Sequence, residues 1–98
     1  MPQHRHVVEV FYLPTCNHCK KVIPILREVA STRPDIRLIE TSASTRDGGK
    51  RLKALGYREV PIVVIDDTYV IKGDRDFRPK LNQVLPILTP RRNQFEKL

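Results

Sequence analysis

The stretch YLPTCNHCKKVIP, residues 12 to 24, holds both cysteines of the chain, two residues apart. Beyond Cys16 the pattern is helical. Val22, Ile23, Leu26, Val29 and Ala30 recur at spacings of three and four, and Lys20, Lys21, Arg27 and Glu28 fall outside that stripe. The spacing predicts a helix from Cys16 to Ala30, broken before Pro34. Cys16 then stands at the helix start, and Cys19 lies on the same face within bonding reach.

Working outward, VVEVFYL (7–13) is a short apolar run rich in β-branched and aromatic residues, the pattern of a buried strand ended by Pro14 and Thr15. IRLIETS, from Ile36, reads as a second strand. In TRDGGKRLKALG, Gly48 and Gly49 weaken the early part, so the helix is expected to take hold near Lys50. Leu52 and Leu55 should face inward, with Gly56 as C-terminal cap. VPIVVID (60–66) and TYVIK are strands at hairpin distance, turned by Asp66 and Asp67. FRPKLNQVLPIL is a last helix that buries Phe77, Leu81, Val84, Leu85 and Leu88. Pro79 is tolerated in its first turn, and Pro86 ends or kinks it. The order strand, helix, strand, helix, strand, strand, helix predicts an α/β fold: a four-stranded mixed sheet with helices on both faces.

With 98 residues and no internal repeat or linker, one domain is expected over 1–98, its core about 7–88 and its polar tail 89–98. No run approaches the roughly 20 apolar residues of a membrane span. The start lacks a small-residue cleavage site, and Glu9 interrupts its apolar run, so we read a cytoplasmic protein rather than a signal peptide. The formal charge of +7 favours acidic protein partners by long-range attraction. The basic residues, however, are spread over many segments, as on a solvated surface. No nucleic-acid motif accompanies them. The chain is expected to act as a monomer.

Two cysteines cannot make a disulfide-rich scaffold, and a bond between near neighbours removes little chain entropy, so a structural staple is the poorest reading. Redox chemistry suits the pair better. The positive end of a helix favours a thiolate at Cys16, while Cys19 lies one turn deeper. Cys16 is then the attacking nucleophile and Cys19 the resolving thiol. His18, as cation or donor, would favour the Cys16 thiolate, and Lys20 and Lys21 would add positive potential; the alternative is that all three are ordinary exposed residues. Zinc is the rival use of the pair. The pair supplies two of its four ligands, the other two would have to come from among His4, His6 and His18, and no second paired motif exists. We expect no metal.

These residues resemble the thioredoxin/glutaredoxin superfamily. CNHCKKVIPILREVA carries its C-x-x-C, a following lysine and a proline five residues after the second cysteine. GYREVPIVVIDD carries its Val-Pro pair opening a strand. The resemblance covers about residues 7 to 85 and implies a thioredoxin fold. It also implies a cis bond before Pro61, with the Val60 backbone pairing with an extended substrate near Thr15 and the cysteines. LKALGYREVPIVV with FRPKLNQVL resembles the small glutaredoxin-like redoxins that supply electrons to ribonucleotide reductase and draw them from thioredoxin reductase.

The sequence departs from thioredoxin at Thr15, where a tryptophan is usual, and at Asn17 and His18, where Gly-Pro is usual. Val10 stands where thioredoxin has a buried aspartate, which leaves water to take the Cys19 proton. The basic residue common before the glutaredoxin motif is missing. The implied activity is protein-disulfide reduction, on a disulfide-containing partner and with an unidentified reductase as donor. No cofactor is implied beyond glutathione as co-substrate in the glutaredoxin alternative. There Val60 and Pro61 would hold the cysteinyl part, and Gly73 and Asp74 the γ-glutamyl end; the rival role for the aspartates is to cap the last helix.

Overall fold

In the computed structural model, which describes residues 6–88, β1 (His6–Tyr12) is an interior strand of a four-stranded sheet ordered β2-β1-β3-β4. It pairs in parallel with β2 (Ile36–Ser42), Val8 opposite Leu38, and antiparallel with β3 (Ile62–Ile65), Val10 opposite Val63. β3 pairs antiparallel with the edge strand β4 (Tyr69–Lys72). The helices are α1 (Asn17–Thr32), α2 (Arg46–Ala54) and α3 (Phe77–Val84). His4 and the tail 89–98 lie outside the described residues.

Alternation along the strands sorts the core into two layers. Val8, Val10, Val63, Ile65 and Ile71 pack with Val22 and Leu26 of α1 and with Phe77 and Leu81 of α3. Phe11, Ile62 and Val64 face the other way, against Leu52 of α2. Helices therefore cover both faces of the mixed sheet, the expected α/β architecture. α1 carries Pro24 inside it, which removes one intrahelical bond.

α2 corrects the expected start. It begins at Arg46, not near Lys50, because the Thr45 side chain caps it by accepting the Gly48 N–H at 3.0 Å. Gly48 is required rather than merely tolerated: a Cβ there would sit 1.9 Å from the Ser42 carbonyl oxygen. Leu55 does not face inward. It is exposed, and Leu52 alone fills the layer below α2. Gly56, at φ +91°, closes the helix as expected: its N–H bonds the Lys53 carbonyl and the Tyr57 N–H bonds that of Leu52.

The turn between β3 and β4 puts Asp66 and Asp67 at φ +53° and +55°, the left-handed geometry of a tight hairpin. Asp66 also clasps the start of β1, accepting from the Val7 N–H at 2.8 Å and meeting His6 Nδ1 at 2.7 Å. At the end of α1, Arg33 makes a paired contact with Asp35 and donates to the carbonyls of Leu85 and Leu88, which fixes the last turn beyond α3.

Candidate active site

Cys16 is the N-cap of α1, in extended geometry at φ −84° and ψ 115°. Its sulfur accepts the backbone N–H of Cys19 at 3.2 Å. An N-cap side chain normally offers oxygen to this orphan donor; here sulfur takes its place. The Cys16 N–H in turn donates to the Leu13 carbonyl at 3.0 Å, which shapes the loop leading into the helix. Both cysteines are free thiols, Cys16 partly exposed and Cys19 buried. Burial, and then the hydrogen bond with Cys16, pushes the Cys19 thiol up to about 12. The two sulfurs are thus unlike: one at the helix mouth, one in hydrocarbon.

Beneath α1, β1 presents Val8 and Val10 to the same core. Glu9 points to the opposite face, as strand alternation requires. There it is 8% exposed and receives two nitrogens of Arg51, the nearest at 2.7 Å, and the Thr41 hydroxyl at 2.6 Å. It does not serve the cysteines.

His18 is exposed and turned away from the expected partner. Its Nδ1 lies 3.0 Å from Asp74 Oδ1, so the carboxylate of the β4–α3 loop, not the Cys16 sulfur, holds the ring. Lys21 approaches the other oxygen of Asp74 at 3.7 Å. The neighbouring His18 ring is the first cause that holds the Asp74 carboxyl below its ordinary value. Asp74 therefore does not cap α3. Asp76 occupies that position without a side-chain cap bond. The Lys20 side chain is exposed, and Lys21 makes the contact with Asp74.

The Val60–Pro61 bond is cis. Pro61 is buried, and its carbonyl accepts the Gly73 N–H at 2.8 Å, which ties the strand entry to the loop after β4. Gly73 sits at φ +70°, where a side chain would be strained. Val60, Pro61, Gly73, Asp74 and His18 line one cleft of about 370 Å³, together with Glu59. Thr15 lies outside its walls, exposed beside Cys16.

Two features escaped the sequence reading. One is Glu59 in the cleft; its place beside Val60 was a signal that could have found it. The other is a groove of about 720 Å³, also bordered by Val60 and walled by Leu13 and by residues from the end of α2. No local pattern announces it, because its walls come from separate segments. Among the described residues no group of three His, Cys, Asp or Glu side chains assembles that could hold a metal. His6 is engaged at the other end of β1 by Asp66.

With this geometry in hand, comparison with known proteins is direct. The glutaredoxin family profile matches residues 8–70. A protein described as a probable thioredoxin from Archaeoglobus fulgidus is 33% identical over 70 residues, covering 71% of this chain and 76% of the relative. Thioredoxin f2 of Chlamydomonas reinhardtii superposes with a TM-score of 0.73 at 18% identity, over 90% of this chain and 83% of that one. The long form of spinach chloroplast thioredoxin f superposes at 0.72, again at 18% identity, over 90% and 74%. Those two structures establish the thioredoxin fold. The match across most of the sheet and the identity to the archaeal relative make this chain a member of the glutaredoxin family, within the thioredoxin/glutaredoxin superfamily.

Proposed function

We propose that the chain is a dithiol–disulfide oxidoreductase that reduces disulfides in other proteins. One observation carries this reading: Cys16 caps α1 with its sulfur on the Cys19 N–H, while Cys19 lies buried one turn inside. The helix mouth turns the positive end of its N–H dipoles toward the sulfur that bears charge during exchange. Position and access therefore assign the roles.

The Cys16 thiolate attacks one sulfur of the target disulfide. A Cys16–target disulfide forms, the target S–S bond breaks, and one target thiolate leaves and takes a proton. Cys19 then loses its proton and attacks the Cys16 sulfur. The Cys16–Cys19 bond forms and the second target thiolate departs. Two electrons have passed to the target, and the protein is left oxidised. A dithiol donor, or two molecules of a monothiol such as glutathione, restores it. In this reading the backbone of Val60, beside the cis bond, holds the extended target segment.

The test is a pair of variants. Cys16→Ser should abolish reduction of a protein disulfide such as insulin. Cys19→Ser should accumulate a mixed disulfide visible by mass. Turnover in Cys16→Ser equal to that of the unaltered protein would falsify the assignment.

The glutaredoxin match, with the cleft between Val60 and Asp74, favours a second reading in which glutathione is the donor. A Cys16–glutathione adduct that forms and turns over would select it. Turnover only with a dithiol donor would select the first.

A further inference from the structure

The groove beyond Val60 has a chemistry of its own. Its floor is apolar: Leu13 from the loop before Cys16, Leu52 and Tyr57 from α2 and its cap, and Val60 itself. Its rim carries Lys53 and Arg58. Four arginines elsewhere are neutralised: Arg27 by Glu40, Arg33 by Asp35, Arg51 by Glu9, Arg78 by Glu28. Lys53 and Arg58 are exposed, and among the described residues neither makes an ion pair. A third cation joins them, since Lys72 of β4 holds its ammonium 5.7 Å from the centre of the Tyr57 ring.

The opposite side of Val60 is different. That cleft contains the carboxylates of Glu59 and Asp74 with the His18 ring. Val60 therefore divides an apolar, cation-rimmed groove from an acid-lined cleft. Both are bordered by Val60, so a segment lying along its backbone has each within reach.

We propose that this groove docks the target segment and selects targets whose reacting cysteine is flanked, on one side, by a large apolar residue followed by carboxylates. The inference rests on the disulfide-reductase reading and names its substrate class. Two observations carry it: the groove is continuous with Val60, and its uncompensated cations complement an acidic ligand. The apolar floor takes the anchoring side chain, where burial supplies the affinity. Lys53, Arg58 and Lys72 attract the carboxylates, which raises the association rate and rejects basic segments. Glu59 and Asp74 repel carboxylates from the cleft, so an acidic flank is favoured only toward the groove.

The experiment uses two disulfide-linked peptides that share a leucine beside the cysteine and differ only in the next two positions, glutamates in one and lysines in the other. Each is made with the flank before and after the cysteine. We expect kcat/KM to favour the glutamate peptide by about tenfold at low ionic strength in one of the two orders, and that preference to shrink as salt screens the rim. In the Lys53→Glu/Arg58→Glu double variant the ratio of the two rates should fall to unity or invert. Because the ratio is measured within one protein, a general loss of activity does not mimic the result.

Equal rates for the two peptides in both orders, or a ratio unchanged by the double variant, overturns the docking proposal. Reduction of the neutral disulfide bis(2-hydroxyethyl) disulfide is measured alongside. If the unaltered protein reduces it no faster than Cys16→Ser does, the reductase reading itself fails, and the docking proposal falls with it.

Discussion

Asp74 holds His18 beside the cleft at Val60, Oδ1 to Nδ1 at 3.0 Å, so the start of α1 is tied to the loop that precedes α3. The tie lowers the Asp74 carboxyl from its ordinary value. A lowered folded value means that the stabilisation is present above the unfolded carboxylate pKa and lost as pH falls through the folded one. The gap in urea midpoint between the unaltered protein and Asp74→Asn should therefore be widest near neutrality and close below about pH 4. A gap that stays constant into acid would show that Asp74 contributes by shape, not by charge.

Cys19 should resist alkylation at neutral pH. Its thiol stands at about 12, first because it is buried. In Cys16→Ser the contribution of Cys16 is gone, but burial remains, so iodoacetamide should label Cys19 slowly until the chain unfolds. As pH rises past the ordinary thiol value of 9.0, the unfolded chain ionises first, and stability should fall between there and about 12. Labelling of native Cys16→Ser as fast as that of a free thiol in urea would contradict the buried placement.

Arg51 is the predicted weak point of the face under α2. Glu9 is only 8% exposed, and Arg51, half exposed, supplies two of its nitrogens. Arg51→Met keeps the apolar stem but leaves the carboxylate with Thr41 alone. The expected loss is about 1–3 kcal/mol, the usual cost of an under-bonded buried polar group, with the lower end favoured because water reaches Arg51. The double variant Glu9→Gln/Arg51→Met should recover part of it; chemical denaturation of the three proteins decides.

Gly48 and Gly49 should part company when replaced by alanine. Alanine favours a helix by about 1 kcal/mol at either site. At Gly48 the new Cβ would lie 1.9 Å from the Ser42 carbonyl, and backbone must move. At Gly49 the nearest atom, the Ala43 carbonyl oxygen, is at 3.1 Å. Gly48→Ala should cost about 2 kcal/mol or more, typical of an overpacked site, and Gly49→Ala much less. Equal thermal midpoints for the two would refute the close approach.

Much of this was legible along the chain. The apolar run VVEVFYL placed β1 in the buried sheet, and the i, i+3 stripe placed Val22 and Leu26 inward. The Gly56 cap and the start of α3 were equally local. What failed was settled by contact at a distance. Gly48 looks like a helix breaker until the Ser42 carbonyl is seen beside it. Leu55 lies on an apolar spacing, yet no partner element covers it. For His18 the sequence offered a role beside Cys16 or an ordinary exposed place; its contact with Asp74, far along the chain, was not foreseen. Arg27, Arg33 and Arg51 read as part of a solvated basic surface, but each closes on a carboxylate that only the fold brings near.

The Asp66 clasp fastens one pole of the sheet to a strand. There the hairpin tip is pinned to the first residues of β1 by a backbone hydrogen bond and a histidine contact. The sulfur pole is fastened through its loops instead, with the Gly73 N–H on the Pro61 carbonyl and Asp74 on His18. Each pole thus has its own latch, and loosening one leaves the other closed.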